Sequence, residues 1–301
     1  MMAMWLDEGI AKLRRWGIRV PNSGRLPSIH RTLSYVSERR EFPNDPGKLR
    51  VVAEAIQDAE EFVRIADVLP DEPLPTLVSD LQQAVGGVLG EEAPGSRSHL
   101  QYQSQLWVSA MMVSAGAPTG VLVRPTGPNP DMILSNGTLR YAVEVKRPEG
   151  ELDARRVVQR ACRQIRSGRF HGGTIVVDVT DCIDPALVAS VIAGPPNMDG
   201  LRAAVAVLAK VLHGEIFDDD ARRIERNREP VFSLTVFGRG RYWDSHDLSR
   251  PHLGRTVASI SYWRRDAMTL RGHRARWLSG LIHKGMQEVG FSPEESGELN
   301  W

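Results

Sequence analysis

The chain has 301 residues, of which 42% are hydrophobic and 25% charged, and its formal net charge is +1. This composition is that of a globular protein, and no stretch has the roughly 18 uncharged apolar residues that a membrane span needs. Two cysteines, Cys162 and Cys182, are too few for a disulfide framework or a four-cysteine zinc site, and the N-terminus meets Asp7 and Glu8 before any apolar run develops. We therefore expect a cytoplasmic protein with reduced thiols and no membrane association.

The first third of the chain is predicted to be helical. Apolar residues recur at helical spacing, and no strand pattern competes with them. The candidate helices are residues 6–16, 48–68 and 74–89. The composition breaks at residues 90–98, where Gly, Pro and Ser cluster. We expect a helical region over residues 1–95 that serves partner or target recognition, and a second domain over residues 96–301.

Strands and helices alternate after residue 99. The predicted order is a helix at 100–115, strands at 120–124, 130–134 and 139–146, a helix at 151–166 and a buried strand at 174–179. The turn signal Ser135-Asn136-Gly137 joins two of these strands into a hairpin. This order predicts an α/β layered core with at least one crossover connection. A C-terminal α/β extension follows, with helices at 185–192, 201–212 and 273–289 and strands at 231–237 and 256–263.

Basic residues are concentrated in two segments. Residues 138–175 carry nine Lys and Arg against four Asp and Glu, and a second basic segment runs from 255 to 284. Local basic patches fit a polyanionic partner such as nucleic acid. A solvated charged face is an equally open interpretation of either segment.

Two carboxylates and one ammonium are predicted to converge on the hairpin. Because side chains alternate along a strand, Glu144 and Lys146 point to the same face, and Asp131 opens the neighbouring strand. Two carboxylates can hold Mg²⁺, which activates water and neutralises charge on a transferring phosphate, and a lysine beside it can orient or deprotonate the water. The bare pattern is weak, since it arises in roughly one chain in ten as a turn aspartate and a Glu–Lys pair on a surface strand.

The context makes the pattern more specific. Asp131 begins one strand of the hairpin, Glu144 and Lys146 end the apolar strand beside it, and helices precede and follow. Residues 99–182 resemble the PD-(D/E)xK nuclease superfamily. The resemblance implies an α/β restriction-endonuclease-like core of helix, three-strand hairpin sheet, crossover helix and strand, with the helical region N-terminal to it. It also implies that Asp131 and Glu144 bind Mg²⁺ or Mn²⁺, that the carbonyl of Val145 adds a ligand, and that Lys146 is the catalytic lysine.

Two glutamines are further candidates for the site. Many members of the superfamily carry a glutamate on the helix before the strands, and the matching position here is Gln105. An amide can coordinate a metal through its oxygen but brings no charge, so one metal and two metals both stay open. In some branches of the superfamily a glutamine on the following helix lies over the site, and here that residue is Gln164. Both glutamines can equally be ordinary polar residues of a helix surface.

Arginines near the predicted site can contact nucleic-acid phosphates. Arg156, Arg160 and Arg163 share a helix face by their spacing, and Arg147 directly follows the catalytic lysine.

The resemblance implies a metal-dependent endonuclease in restriction, antiphage defence or DNA repair, and it favours DNA over RNA as substrate. The alternative is a catalytically weak or inactive nucleic-acid-binding or scaffold protein on a nuclease fold. The presence of Gln105 in place of the expected glutamate supports this alternative. The chain has no helicase or ATPase motif, so a helicase or sensor that activates the nuclease has to be another chain. A homodimer is a further possibility for the N-terminal helices.

Overall fold

The structure is a computed structural model that describes residues 2–39, 45–68, 75–87, 98–117, 130–184, 189–192, 198–217, 230–244, 252–263 and 270–288. The chain divides into two compact units. The first comprises Met1–Ala110, Ala189–Pro196 and Arg241–Gly254, and the second comprises Met111–Val188, Asn197–Gly240 and Arg255–Trp301. Most of the composition break at 90–98 lies outside the described residues. The units divide the chain differently from the predicted domains, because two later segments group with the N-terminal helices.

Helices dominate the first unit. They are α1 (Met2–Arg15), α2 (Arg25–Arg39), α3 (Pro46–Val68), α4 (Pro75–Ala84) and the first part of α5 (Ser98–Ser114). The first three pack on one another and bury their apolar faces. The predicted helices at 6–16, 48–68 and 100–115 are confirmed, whereas α2 is additional and α4 ends earlier than the predicted residue 89.

A charged cluster is buried among α2, α3 and α5 of the first unit. Arg25 Nε donates to Asp58 Oδ2 over 2.9 Å, and Gln57 Nε2 donates to Glu61 Oε1 over 2.7 Å. Gln103 Nε2 donates to both carboxylates, to Asp58 Oδ1 and to Glu61 Oε2. Every carboxylate oxygen of this cluster therefore accepts a hydrogen bond, as buried polar groups in native proteins generally do.

A short strand belongs to the first unit as well. The strand β4 (Ala189–Ile192) pairs in parallel with residues 241–244 and packs against α3. The prediction of a helix at 185–192 is therefore wrong for these four residues. Val191 and Ile192 are β-branched, and pairing with a neighbouring strand outweighs a helical pattern in so short a segment.

The second unit is built on a mixed sheet. Its strands are β1 (Met132–Asn136), β2 (Leu139–Lys146), β3 (Gly172–Asp178), β5 (Val231–Asp244) up to residue 240, and β6 (His252–Trp263) from residue 255. The hairpin strands β1 and β2 are antiparallel, β2 and β3 are parallel, β3 and β5 are parallel, and β6 pairs with β5. Three helices accompany them: α6 (Glu151–Ser167), α7 (Met198–Phe217) and α8 (Leu270–Glu288). The α/β class and the crossover connection are thus confirmed.

The hairpin forms where the sequence predicts it, with a shifted turn. β2 has the predicted bounds, but β1 begins two residues later than predicted and runs on to Asn136, which pairs with Leu139. The turn is therefore Gly137-Thr138, and Gly137 adopts a φ of 60°, which glycine tolerates without a steric penalty. The predicted strand at 120–124 lies outside the described residues.

One face of this sheet carries the core of the second unit. The helices α6 and α7 pack against each other, and α6 packs on β2 and β3. Ala142, Ile175 and Val177 of the strands share a buried cluster with apolar residues of both helices, including the predicted α6 face of Val158, Ala161, Cys162 and Ile165. Since side chains alternate along a strand, Glu144 lies on the same face as Ala142 and points under these helices.

Among the residues that the structure describes, no helix combines the length and the hydropathy that a membrane crossing requires.

Candidate active site

Asp131, Glu144 and Lys146 meet at the carboxyl end of β2. Met132 pairs with Val143, so Asp131 stands beside Glu144 across the hairpin. Asp131 Oδ2 accepts hydrogen bonds from the Val145 amide over 2.9 Å and from Lys146 Nζ over 2.8 Å. The same Nζ atom lies 2.6 Å from Glu144 Oε2. The two carboxylate oxygens are therefore at most about 5.4 Å apart, because Nζ is 2.8 Å from one and 2.6 Å from the other.

The three side chains differ in how far they are shielded from solvent. The Glu144 side chain is 0% exposed, whereas Asp131 is 7% and Lys146 is 15% exposed. Both Glu144 oxygens are buried and accept no hydrogen bond of good geometry, although the Lys146 ammonium is close to one of them. A buried carboxylate in this condition has unused capacity for a cation.

Burial also decides the protonation of the cluster. Loss of solvent raises the pKa of Glu144 to about 8, the nearby Asp131 charge adds to this rise, and the Lys146 ammonium opposes it. Burial lowers the pKa of Lys146, but the Asp131 and Glu144 carboxylates outweigh it and hold that pKa above its ordinary value. Lys146 is therefore a cation at neutral pH, and Glu144 gives up its proton only when a further positive charge favours its ionised form.

The residues present fit a magnesium or manganese ion. Mg²⁺ is commonly held by one or two carboxylates, with water filling its other positions, and the two carboxylates here face one point. That point is taken by the Lys146 ammonium, which shows that the geometry stabilises positive charge. Among the described residues there is no cluster of three or more His, Cys, Asp or Glu suited to a metal. The candidate ligands are therefore Asp131 and Glu144, with the Val145 carbonyl as the predicted third oxygen.

The two candidate glutamines lie on different helices. Gln105 is buried on the part of α5 that belongs to the first unit, while the carboxylates belong to the second, and its place in the site stays a prediction. Gln164 lies in the last turn of α6. Its neighbour Ile165 packs beside Ala142 and Gly173, and Ala142 precedes Lys146 by about 13 Å of strand. The place of Gln164 in the site therefore stays a prediction, like that of Gln105.

The predicted phosphate-binding arginines of α6 are exposed. Arg156 forms an ion pair with Asp153 over 2.9 Å. Arg160 and Arg163 are exposed on the same helix and form no ion pair with any other residue that the structure describes. Exposed arginines of this kind can contact phosphates directly, whereas Arg156 has to give up its ion pair with Asp153 before it binds a phosphate.

A second charged cluster, which sequence reasoning missed, lies beside the carboxyl ends of β2, β3 and β5. Asp178 is fully buried and is bound by Thr180 and Arg239. Burial raises the pKa of Asp178, but Arg239 and Arg147 outweigh burial and hold it below its ordinary value. An aspartate that ends an otherwise apolar buried strand was the available signal, because polar groups at the carboxyl ends of parallel strands mark sites in open α/β sheets.

Comparisons with protein-family models, with curated proteins and with solved structures gave no match for this chain.

Proposed function

We propose that this protein is a metal-dependent nuclease that hydrolyses phosphodiester bonds in DNA, with Mg²⁺ or Mn²⁺ held by Asp131 and Glu144. The observation that carries the proposal is one ammonium within 2.8 Å of two carboxylates on neighbouring strands, one of them completely buried. An ion pair made for stability alone needs one carboxylate, and a second buried one costs free energy unless it has a further task.

The order of elements supports a restriction-endonuclease-like core. A helix, α5, precedes the hairpin of β1 and β2, α6 makes the crossover, and β3 lies parallel to β2. This order agrees with the core that the resemblance to the PD-(D/E)xK superfamily implies, apart from its first strand at 120–124, which lies outside the described residues. Glu144 and Lys146 stand at the end of the second hairpin strand, and Asp131 stands directly before the first.

Each side chain of the cluster has a distinct task in this mechanism. The divalent ion supplies an activated water and neutralises charge on the phosphate. Asp131 and Glu144 would hold the ion, and Asp131 keeps its position through the Val145 amide. The Lys146 ammonium would orient the attacking water and stabilise charge on the phosphate oxygens. The Glu144 side chain is completely shielded from water, which strengthens these interactions.

The exposed arginines support a nucleic-acid substrate. Arg160 and Arg163 lie on α6, the helix that begins five residues after Lys146. Contacts to phosphates along that helix add affinity without sequence preference and position the backbone. Restriction, antiphage defence and DNA repair are the settings that this proposal covers, including activation by a helicase, a sensor or a second copy of the chain.

A second candidate function rests on the same ammonium. Lys146 already contacts both carboxyl groups, and the glutamate expected on the preceding helix is Gln105. A nuclease fold that has lost its metal would keep such an ion pair for stability and use the arginines to bind nucleic acid.

Cleavage assays separate the two functions. Supercoiled plasmid, linear duplex, single-stranded DNA and RNA are incubated with the purified protein in Mg²⁺, Mn²⁺ or EDTA, beside Asp131→Ala and Lys146→Ala. Matched controls are Asp199→Ala and Lys210→Ala, which remove the same charges at exposed positions of α7. The nuclease proposal expects cleavage that needs metal, survives in the controls and falls by about 10³-fold or more in the site variants. Cleavage that survives both site substitutions contradicts it, and binding without cleavage favours the second function.

A further inference from the structure

Arg147 does not have the surroundings of a phosphate contact. Its side chain is only 8% exposed, and its Nε and Nη2 atoms donate to the two carboxylate oxygens of Asp181 over 2.8 and 3.4 Å. Its Nη1 atom lies 3.8 Å from Asp178 Oδ2. A buried bidentate pair of this kind has a defined geometry and is costly to break.

The partners of Arg147 are themselves fixed. Asp178 binds the Arg239 guanidinium and accepts hydrogen bonds from the amide and the hydroxyl of Thr180. Thr180 Oγ1 in turn accepts from the Arg239 amide over 3.1 Å. Two arginines and two aspartates thus balance in charge within a network that joins the segments after β2 and β3 to β5.

This network fastens the end of β2 from one side. Arg147 is bound by Asp181, and the next residue, Pro148, accepts a hydrogen bond at its carbonyl from Cys182 Sγ over 3.6 Å. From the other side, the Val145 amide is bound by Asp131. Lys146 lies between these two attachments, and because side chains alternate along a strand, Arg147 leaves the backbone on the face opposite to the ammonium.

We infer that Arg147 is a positioning residue, which acts through Asp181 and Asp178 to hold the end of β2 so that Lys146 stays directed at the carboxylates. The inference rests on the proposed nuclease function, and it replaces the predicted role of Arg147 as a phosphate contact. Asp181, Asp178 and Arg239 then belong to the support of the site. Catalytic groups that are misplaced by as little as about 1 Å lose much of their effect, so such support is functional.

The test compares Arg147→Ala, Asp181→Ala and the double variant, with Arg163→Ala as a control for loss of a phosphate contact. Three quantities are measured: kcat and KM for DNA cleavage, DNA affinity against salt concentration in EDTA, and hydrogen exchange of the Val145 amide. A positioning role predicts that kcat falls about 10- to 100-fold in both single variants and no further in the double variant. DNA affinity and its salt dependence stay at the wild-type level, and exchange at Val145 accelerates at least about tenfold in both.

Other results overturn the inference. A phosphate contact predicts weaker DNA binding and a smaller salt slope for Arg147→Ala, no loss for Asp181→Ala, and unchanged exchange at Val145. Since Arg147→Ala can fail to fold, Asp181→Asn tests the same link with the arginine in place, and wild-type kcat in folded Asp181→Asn contradicts the inference. If the wild type cuts no substrate, the nuclease proposal fails, and exchange at Val145 alone decides whether Arg147 fixes the end of β2.

Discussion

Two regions of the molecule bury a pair of carboxylates around one cation, and they treat the carboxylates differently. In the first unit, Arg25 binds Asp58, and the amides of Gln57 and Gln103 donate to the remaining oxygens of Asp58 and Glu61, so that every oxygen accepts a hydrogen bond. In the second unit, Asp131 and Glu144 share the Lys146 ammonium, and no backbone or amide donor of the described residues binds either Glu144 oxygen.

The difference is the one expected between a cluster that stabilises the fold and a cluster that binds a ligand. Saturated carboxylates have nothing left to bind, and their hydrogen bonds fix the register of the helices that carry them. An unsaturated carboxylate keeps capacity for a ligand at a cost in stability, which is typical of functional sites. Composition does not make this distinction, because both regions contain two acids and one base.

Removal of the cation gives the largest expected difference between the regions. Arg25→Met removes the guanidinium that pairs with the buried Asp58 carboxylate, and we expect a loss of about 3–5 kcal/mol in the free energy of unfolding at pH 7. Lys146→Met is expected to cost about 1–2 kcal/mol, because Glu144, with a pKa of about 8, remains protonated. Denaturant unfolding followed by circular dichroism measures both. Equal losses would mean that the second cluster is as structural as the first.

Neutralisation of Glu144 is expected to stabilise the protein while it removes a metal ligand. The folded-state pKa of about 8 lies above the ordinary 4.5, so the unfolded chain ionises first as pH rises, and the wild type loses stability between these two values. In Glu144→Gln this loss disappears, and we expect a gain of about 1–2 kcal/mol at pH 8 and none at pH 4. The measurement is urea unfolding in EDTA across this pH range, with Asp199→Asn as control. A wild-type stability that is flat from pH 5 to 8 contradicts the environment described for Glu144.

The exposed arginines carry the smallest expected effects. Arg160→Ala and Arg163→Ala should each weaken DNA binding by a few-fold at moderate salt and reduce the slope of log affinity against log salt by about 1. Arg156→Ala should do less, since its guanidinium already pairs with Asp153. Fluorescence anisotropy over a salt series measures all three. Identical slopes for the three variants and the wild type would show that α6 does not face the nucleic acid.

The centre of the site was predictable because it depends on local rules. Alternation along β2 puts Glu144 and Lys146 on one face, and a short hairpin brings Asp131 beside them. Three residues and one turn signal were therefore enough to predict that these side chains meet. The turn itself shifted by two residues without changing which side chains meet. Local patterns also located α1, α3, α5 and α6 correctly.

The features that the sequence did not predict depend on which helices and strands become neighbours in the fold. Local sequence patterns do not specify these neighbours. The role of Arg147 follows from the segment after β3, whose aspartates come alongside only when β2 and β3 pair. The raised pKa of Glu144 follows from its burial in the assembled domain, which the local sequence pattern does not reveal. The strand at Ala189–Ile192 likewise exists through its pairing with β5.

Titration of Mn²⁺ into the metal-free protein tests the central claim most directly. At pH 8, isothermal titration calorimetry should show binding in the wild type and in Asp199→Asn, and a loss of at least about tenfold in affinity for Asp131→Asn and Glu144→Gln. Such a result assigns the ion to the two carboxyl groups that Lys146 contacts. Equal Mn²⁺ affinity in all four proteins, or no binding in the wild type, would contradict the proposed metal centre.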